Sequence, residues 1–220
     1  MATKQDLTQA AANKEEATVV APPLSPLQPL RQPPAQKPRA AVVEEIRLTL
    51  APGPLKLIAA CDLAGGIGVA GELPWTCPED MRWFRATTLD QIIVVGAKTF
   101  ASFGGRPLPR RTTIVISRLR RPADLPAAVH WARSLDNAVD IAAELRGDWP
   151  ANSAPDIWLC GGAAIYAEAL GAATTGRLFG HAGMPLGQIL INVLSYVEGA
   201  APSCDTWLDL AAVQTLNKQD

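Results

Sequence analysis

The stretch LKLIAACDLAGGIGVAGELPWTCPEDMRWFRATT, Leu55 to Thr88, constrains the fold more than any other part of this chain. Its opening LKLIAA is short and apolar, as a central strand must be. Gly65, Gly66, Gly68 and Gly71 follow. They free the loop to turn tightly and to approach a ligand closely. Thr76-Cys77-Pro78-Glu79 fits a capping box with Thr76 as N-cap, Glu79 at N3 and Pro78 in the first turn. A helix is therefore predicted from about Cys77 to about Thr88.

On that helix Asp80, Phe84 and Thr88 recur every fourth residue, with Met81 beside Phe84 at the i+3 spacing. An acid in a first turn is at home there for the helix dipole alone. Its company, LPW before it and an apolar face around it, suits a carboxylate whose pKa is raised and which can hold or relay a proton.

The totals narrow the function classes. A chain of 220 residues, 48% hydrophobic and 19% charged, allows one domain with a good core plus tails. A net charge of −1 gives no reason to expect nucleic acid or an anionic membrane as partner. Four cysteines without metal spacing read as buried thiols in a reducing compartment. With His130 and His181 the only histidines, neither a His-rich metal site nor a Ser-His-Asp triad has support. No apolar run is long enough to span a bilayer, and nothing near residue 1 reads as a secretory or mitochondrial leader.

Residues 1–53 read as a disordered extension, proline-rich from Pro22 to Arg39, where Pro23, Pro26 and Pro29 give a PxxP spacing open to an SH3-like partner or a plain solvated linker. VVEEIRLTL within it has the look of a short edge element, and Pro52-Gly53-Pro54 marks the domain start. Strands are then expected at Gln91–Val95, Thr112–Ser117, Ala128–Ala132, Asp156–Cys160 and Gln188–Leu194. Helices are expected at about Lys98–Phe103, at Leu135–Leu145 capped by Ser134, and up to Leu170. This alternation predicts an α/β layered domain, residues 54–210, with a mostly parallel sheet and helices on both faces. Residues 171–187 are longer and more glycine-rich than such a connection needs, and 211–220 read as a tail. The glycines at 65–68 do not form a Rossmann fingerprint, whereas Gly161-Gly162, between a strand end and a helix start, suits a pyrophosphate.

Several of these pieces, in order, resemble dihydrofolate reductase, of the eukaryotic type after residue 188. They are Ile58-Ala59-Ala60, Ile67-Gly68, Leu73-Pro74-Trp75, Asp80 with Trp83-Phe84, Gly96-Ala97-Lys98-Thr99-Phe100, Arg106-Pro107-Leu108-Pro109, Ser117-Arg118 and Gly161-Gly162-Ala163-Ala164-Ile165-Tyr166. The resemblance implies NADPH-dependent reduction of 7,8-dihydrofolate to tetrahydrofolate by a cytoplasmic, monomeric enzyme without a metal. Asp80 would hold the pterin and support its protonation at N5, Trp75 would orient that end through water, and Leu73 would belong with them. Ile58, Met81, Phe84, Phe103, Leu108, Cys160 and Tyr166 would line the substrate pocket, and Arg111 would grip the α-carboxylate of the glutamate tail. Ala60, Ile67, Gly68, Gly96, Lys98, Thr99, Ser117, Arg118, Gly161, Gly162, Ala163, Ala164 and Ile165 would contact the cofactor. Lys98 and Arg118 are the cations for a 2′-phosphate, and the bond between Gly161 and Gly162 would be cis.

The departures are Ala97 in place of a basic residue, Arg110 in place of a turn glycine, and the partner position of the aspartate falling near Asn192. The edge hairpin that normally ends the sheet is missing after Leu210. Two other readings follow: a related pterin or riboflavin-pathway reductase of the same fold, or a truncated, non-catalytic product with a proline-rich interaction arm.

Overall fold

The apolar runs fold into alternating elements, seen in a computed structural model that describes residues 37–126, 128–150 and 152–218. In chain order they are β1 (Arg39–Thr49), β2 (Leu55–Asp62), β3 (Gly66–Gly68), α1 (Pro78–Thr88), β4 (Ile92–Gly96), α2 (Ala97–Ser102), β5 (Thr112–Ile116), β6 (Val129–Ala132), α3 (Leu135–Gly147), β7 (Ile157–Leu159), α4 (Ala163–Thr175), β8 (Gln188–Glu198), β9 (Thr206–Trp207) and α5 (Leu210–Asn217). The PxxP run lies outside the described residues. None of the described helices is long and apolar enough to cross a membrane.

Seven strands form one sheet in the order β1-β8-β2-β7-β4-β5-β6, with β3 and β9 paired separately. Every neighbouring pair from β8 to β6 is parallel; β1 alone runs antiparallel, against β8. The central strands IIVVG and IWL are almost wholly buried because helices cover both faces. Leu57, Ile92, Val94, Leu159 and Ile191 meet α3, α4 and α5 on one face. Ile58, Ile93, Val95, Trp158 and Cys160 meet Phe84 of α1 and Phe100 of α2 on the other.

The structure corrects the sequence reading at four places. First, residues 39–49 are an integral strand and not part of a disordered extension. β1 fills the edge position beside β8, so that edge of β8 is paired. Its pattern was unreadable because Glu44, Glu45 and Arg47 lie on a half-exposed edge, with a register shift between Val42 and Glu44. Second, Thr76 does not cap α1. Its amide donates to the Pro38 carbonyl at 2.9 Å and its carbonyl accepts from the Ala40 amide at 3.0 Å. Committed to β1, it hands the N-cap position to Cys77, which makes no side-chain capping bond, and Pro78 becomes the first helical residue.

Third, α4 runs on to Thr175 and ends at Gly176, whose left-handed φ of 71° closes the helix. The rest of the glycine-rich segment is a tight turn on which Phe179 and Met184 exchange backbone hydrogen bonds of 2.8 Å. Phe179 is fully buried in the α3–α4 core. The turn is tied to α3 as Asp136 accepts from the Gly180 amide at 3.0 Å and Asp140 from the His181 amide at 2.7 Å. Gly180 takes a left-handed φ of 68°, which favours glycine, and a Cβ there would stand 2.6 Å from Asp140 Oδ1. Fourth, the expected tail at 211–220 is α5 through Asn217, capped by Asp209, with Val213 and Leu216 buried.

Candidate active site

Pro78 starts α1 at the carboxyl end of the parallel strands, so Asp80 enters the sheet face in the helix's first turn. It is 5% exposed, and the Asn192 amide on β8 donates to Asp80 Oδ1 at 2.9 Å. Burial pushes the Asp80 carboxyl above the usual carboxylate range, against the opposing pull of the Asn192 hydrogen bond. One helical turn on, Phe84 faces the apolar cluster, and Thr88 donates to its carbonyl at 2.8 Å.

The side chains around this acid divide into walls and rim. Trp75 is buried, meets Tyr196 edge-on with centroids 6.5 Å apart, and has an indole N–H without a partner among the described residues. Ile58, Phe84, Phe103, Leu108 and Cys160 share one apolar cluster on Asp80's side of the sheet. Tyr166 reaches in from α4, donating to the Ile58 carbonyl at 2.8 Å, and its hydroxyl is pushed well up by burial. The Cys160 thiol is likewise raised by burial, so neither group offers an anion at neutral pH. Met81, expected in the substrate pocket, and Leu73, expected beside Asp80 and Trp75, are 53% and 41% exposed, which leaves them at the rim.

Arg111 is held without a carboxylate partner among the described residues. Its guanidinium donates to the Pro109 carbonyl at 2.7 Å, the Arg85 carbonyl at 3.1 Å and Thr88 Oγ1 at 3.3 Å. Burial and the neighbouring Arg85 charge lower its pKa, a cost that an incoming anion would relieve. Arg110 beside it adopts the left-handed φ of 59°, costly outside glycine, and is fixed there by a two-point ion pair with Asp90.

On the other side of β7 the residues expected at a dinucleotide come together. The Gly161–Gly162 bond is cis, and the Gly96 amide donates to the Gly161 carbonyl at 2.7 Å. A Cβ at Gly162 would meet Thr99 Oγ1 at 3.2 Å and one at Gly161 the Tyr166 hydroxyl at 3.0 Å, so the bare backbone makes a narrow cradle. α4 begins there at Ala163, Ala164 and Ile165 with no side-chain cap, presenting its positive end. β7 lies between β2 and β4, so this is the crevice where strand order reverses. Lys98 and Arg118 are exposed at the ends of the next strands, while Ser117 is buried and accepts from the Leu119 amide. Glycine cradle, helix end and flanking cations fit a phosphorylated dinucleotide.

The loop after β2 is built on Asp62, a residue not singled out from the sequence although an aspartate before a Gly-Gly pair is a turn signal. Its Oδ1 accepts from the Ala64 and Gly66 amides at 2.9 and 2.8 Å. Ala60 precedes it on β2, Ile67 packs on the core, and Gly68 pairs with Thr206 of β9. The tip is latched where the Ala70 amide donates to Asp205 Oδ2 at 2.7 Å; hydrogen bonds from the Thr206 hydroxyl and this amide hold the Asp205 carboxyl below its usual range. Asp205→Ala is expected to free the loop tip and raise amide exchange at Ala70. Hydrogen-exchange measurement checks this, with unchanged protection counting against the latch.

Comparison with known proteins agrees with this arrangement. The family model described as dihydrofolate reductase matches residues 54–178. The dihydrofolate reductase of Drosophila melanogaster is 33% identical over 134 residues, covering 56% of this chain and 69% of that protein. That of Neisseria meningitidis is 38% identical over 125 residues, 56% of this chain and 70% of that protein. That of Haemophilus influenzae is 35% identical over 114 residues, 52% of this chain and 63% of that protein. Both β1 and Asn192 lie outside the family match, yet each touches the segment that carries Asp80. The matched length, the relatives' identity and the shared order of motifs together mean that this chain belongs to the dihydrofolate reductase family.

Proposed function

We propose that the chain catalyses the NADPH-dependent reduction of 7,8-dihydrofolate to 5,6,7,8-tetrahydrofolate. The observation that carries the reading is Asp80, a buried carboxylate of raised pKa held by Asn192 one helical turn from Phe84 and its apolar cluster. Such a group can bind the amino and N3 positions of a pterin and support protonation at N5. Trp75, with its unpartnered indole N–H, suits a water that orients the same end of the ring. Phe84, Phe103 and Leu108 exclude solvent around the substrate, and Arg111 receives the α-carboxylate of the glutamate tail. When bound, NADPH supplies the hydride. Gly96, Gly161, Gly162 and the start of α4 accommodate its pyrophosphate, and Lys98 and Arg118 its 2′-phosphate, with Ala97 contributing no charge.

Four free, buried cysteines support a reducing compartment such as the cytoplasm. Bacterial relatives match as well as the insect one, so the eukaryotic-type assignment rests on Val197-Glu198-Gly199 and Cys204 to Leu208 alone. Both edges of β8 are paired, with β1 and with β2.

The test is oxidation of NADPH with dihydrofolate, followed by absorbance; no turnover from folded protein sinks the proposal. Arg111→Leu is expected to raise the KM for dihydrofolate roughly 10–100-fold, the loss of a charge-assisted pair, with kcat little changed. The same KM for a pterin lacking the glutamate tail in both proteins would assign the effect to that carboxylate. An equal KM for dihydrofolate would remove Arg111 from the site.

A further inference from the structure

β1 reaches the active site from outside the region matched by the family. Because it runs antiparallel to β8, its Arg39 end lies at the carboxyl end of the parallel strands, with Gly96 and Gly161. There it is flanked on both edges. On one, Ala40 stands in register with Tyr196 of β8. On the other, the Thr76 amide and carbonyl bond Pro38 and Ala40 at 2.9 and 3.0 Å. Ala40 is 1% exposed and packs with Trp75, Cys77 and Leu194. The Tyr196 ring closes on Trp75 from β8. Further out, Lys37 Nζ lies 2.8 Å from Glu72 Oε2, in the loop just before Leu73.

We propose that the segment leading into β1, residues 37–40, is a brace that sets Trp75 and the first turn of α1, making Ala40 a positioning residue for Asp80. Thr76, with both backbone groups bonded to β1, fixes its neighbours Trp75 and Cys77 on either side. The Trp75 indole N–H has no hydrogen-bond partner among the described residues, so its place is set by packing, and Ala40 is part of that packing. A larger side chain at 40 would crowd this cluster of Trp75, Cys77 and Leu194. The exposed Lys37–Glu72 pair contributes little alone but extends the brace to the loop. The inference rests on reading Asp80 as the group that engages the substrate.

The test uses the full chain carrying Ala40→Leu, Ala40→Gly or, as a control on the exposed middle of the same strand, Val43→Ala. Two readouts are compared: kcat with dihydrofolate, and the titration of the Asp80 carboxyl followed by its 13C signal without ligands. The titratable groups near Asp80 are Cys77 before it, Glu79 beside it and Tyr166 from α4, all unchanged in the variants. Ala40→Leu is expected to bind NADPH as the parent does while kcat falls about tenfold through misplacement of the acid. The Asp80 titration moves down toward the ordinary carboxylate value as water enters. Ala40→Gly shifts both readouts the same way by less, and Val43→Ala shifts neither. Folded Ala40 variants with the parent's kcat and titration overturn the brace; should Ala40→Leu fail to fold, Ala40→Gly decides. An inactive parent chain sinks the proposed reaction instead, and the carboxyl titration still decides the brace.

Discussion

Replacing Asp80 by asparagine is expected to lower kcat for dihydrofolate reduction at pH 7 by roughly 10²–10⁴-fold, the usual worth of a positioned proton-handling group. Asparagine keeps an oxygen toward Asn192 and nearly the same volume, so the loss isolates the ionisable group. Linkage gives a second, opposite signature. Burial raises the Asp80 pKa in the folded chain, so between the unfolded and folded values the native state binds the proton more tightly. The stability from this group is therefore fully present below the unfolded carboxyl pKa and lost as pH rises through the folded one. At pH 7 Asp80→Asn escapes that loss and should melt no lower than the parent. Reduced turnover with an undiminished Tm separates chemistry from folding. Retained turnover would remove Asp80 from the mechanism.

Phe179→Ala is expected to destabilise the domain by about 3–5 kcal/mol, a large share of the stability of an ordinary domain. The ring is fully buried, and its loss leaves a cavity between α3 and α4. The ion pairs around it are smaller in effect. Arg177 is exposed beside Asp136 and Glu168, and pairs of that kind contribute about 0–1 kcal/mol each. Denaturant unfolding should show the midpoint falling in Phe179→Ala and barely moving in Arg177→Ala. Phe179 lies on the face of the sheet opposite Phe84, so kcat of the folded fraction is expected to hold. A cost below about 1 kcal/mol would mean the turn is an appendage and not part of the core.

What could be read from the sequence was what local spacing controls. Apolar runs such as IIVVG and the Ser134 cap, which accepts from the Asn137 amide, are decided within a few residues, and they appear where expected. The place of Gly161–Gly162 between a strand end and a helix start was legible in the same way, and α4 does begin there. Tertiary competition decided what was misread. Thr76 has a good capping sequence, but its backbone groups are taken by Pro38 and Ala40, residues far back in the chain. The 39–49 segment has weak alternation because a register shift between Val42 and Glu44 breaks its period, and its partner β8 lies far along the chain. Phe179 sits in a glycine-rich stretch that looks like surface loop, and nothing local reports that one aromatic ring is driven inward. Asn192 is a different case: nothing local in its apolar strand marks a role for it, but the resemblance put the aspartate's partner position there, and its amide does donate to Asp80.

The pairing of β1 with β8 also bears on the order in which the domain can be made. Arg39 and Glu198, joined across that pair, stand 159 positions apart in the chain. Synthesis delivers β1 before any other part of the sheet, yet its partner strand emerges almost last. Until then an apolar-flecked strand with charged Glu44, Glu45 and Arg47 must remain unpaired on the nascent chain. Those charges, modest in the native state, keep the waiting strand from pairing with wrong edges. Closure of the sheet, and with it the setting of Trp75, is thus expected to be the slow, late event of folding, governed by the longest loop in the molecule.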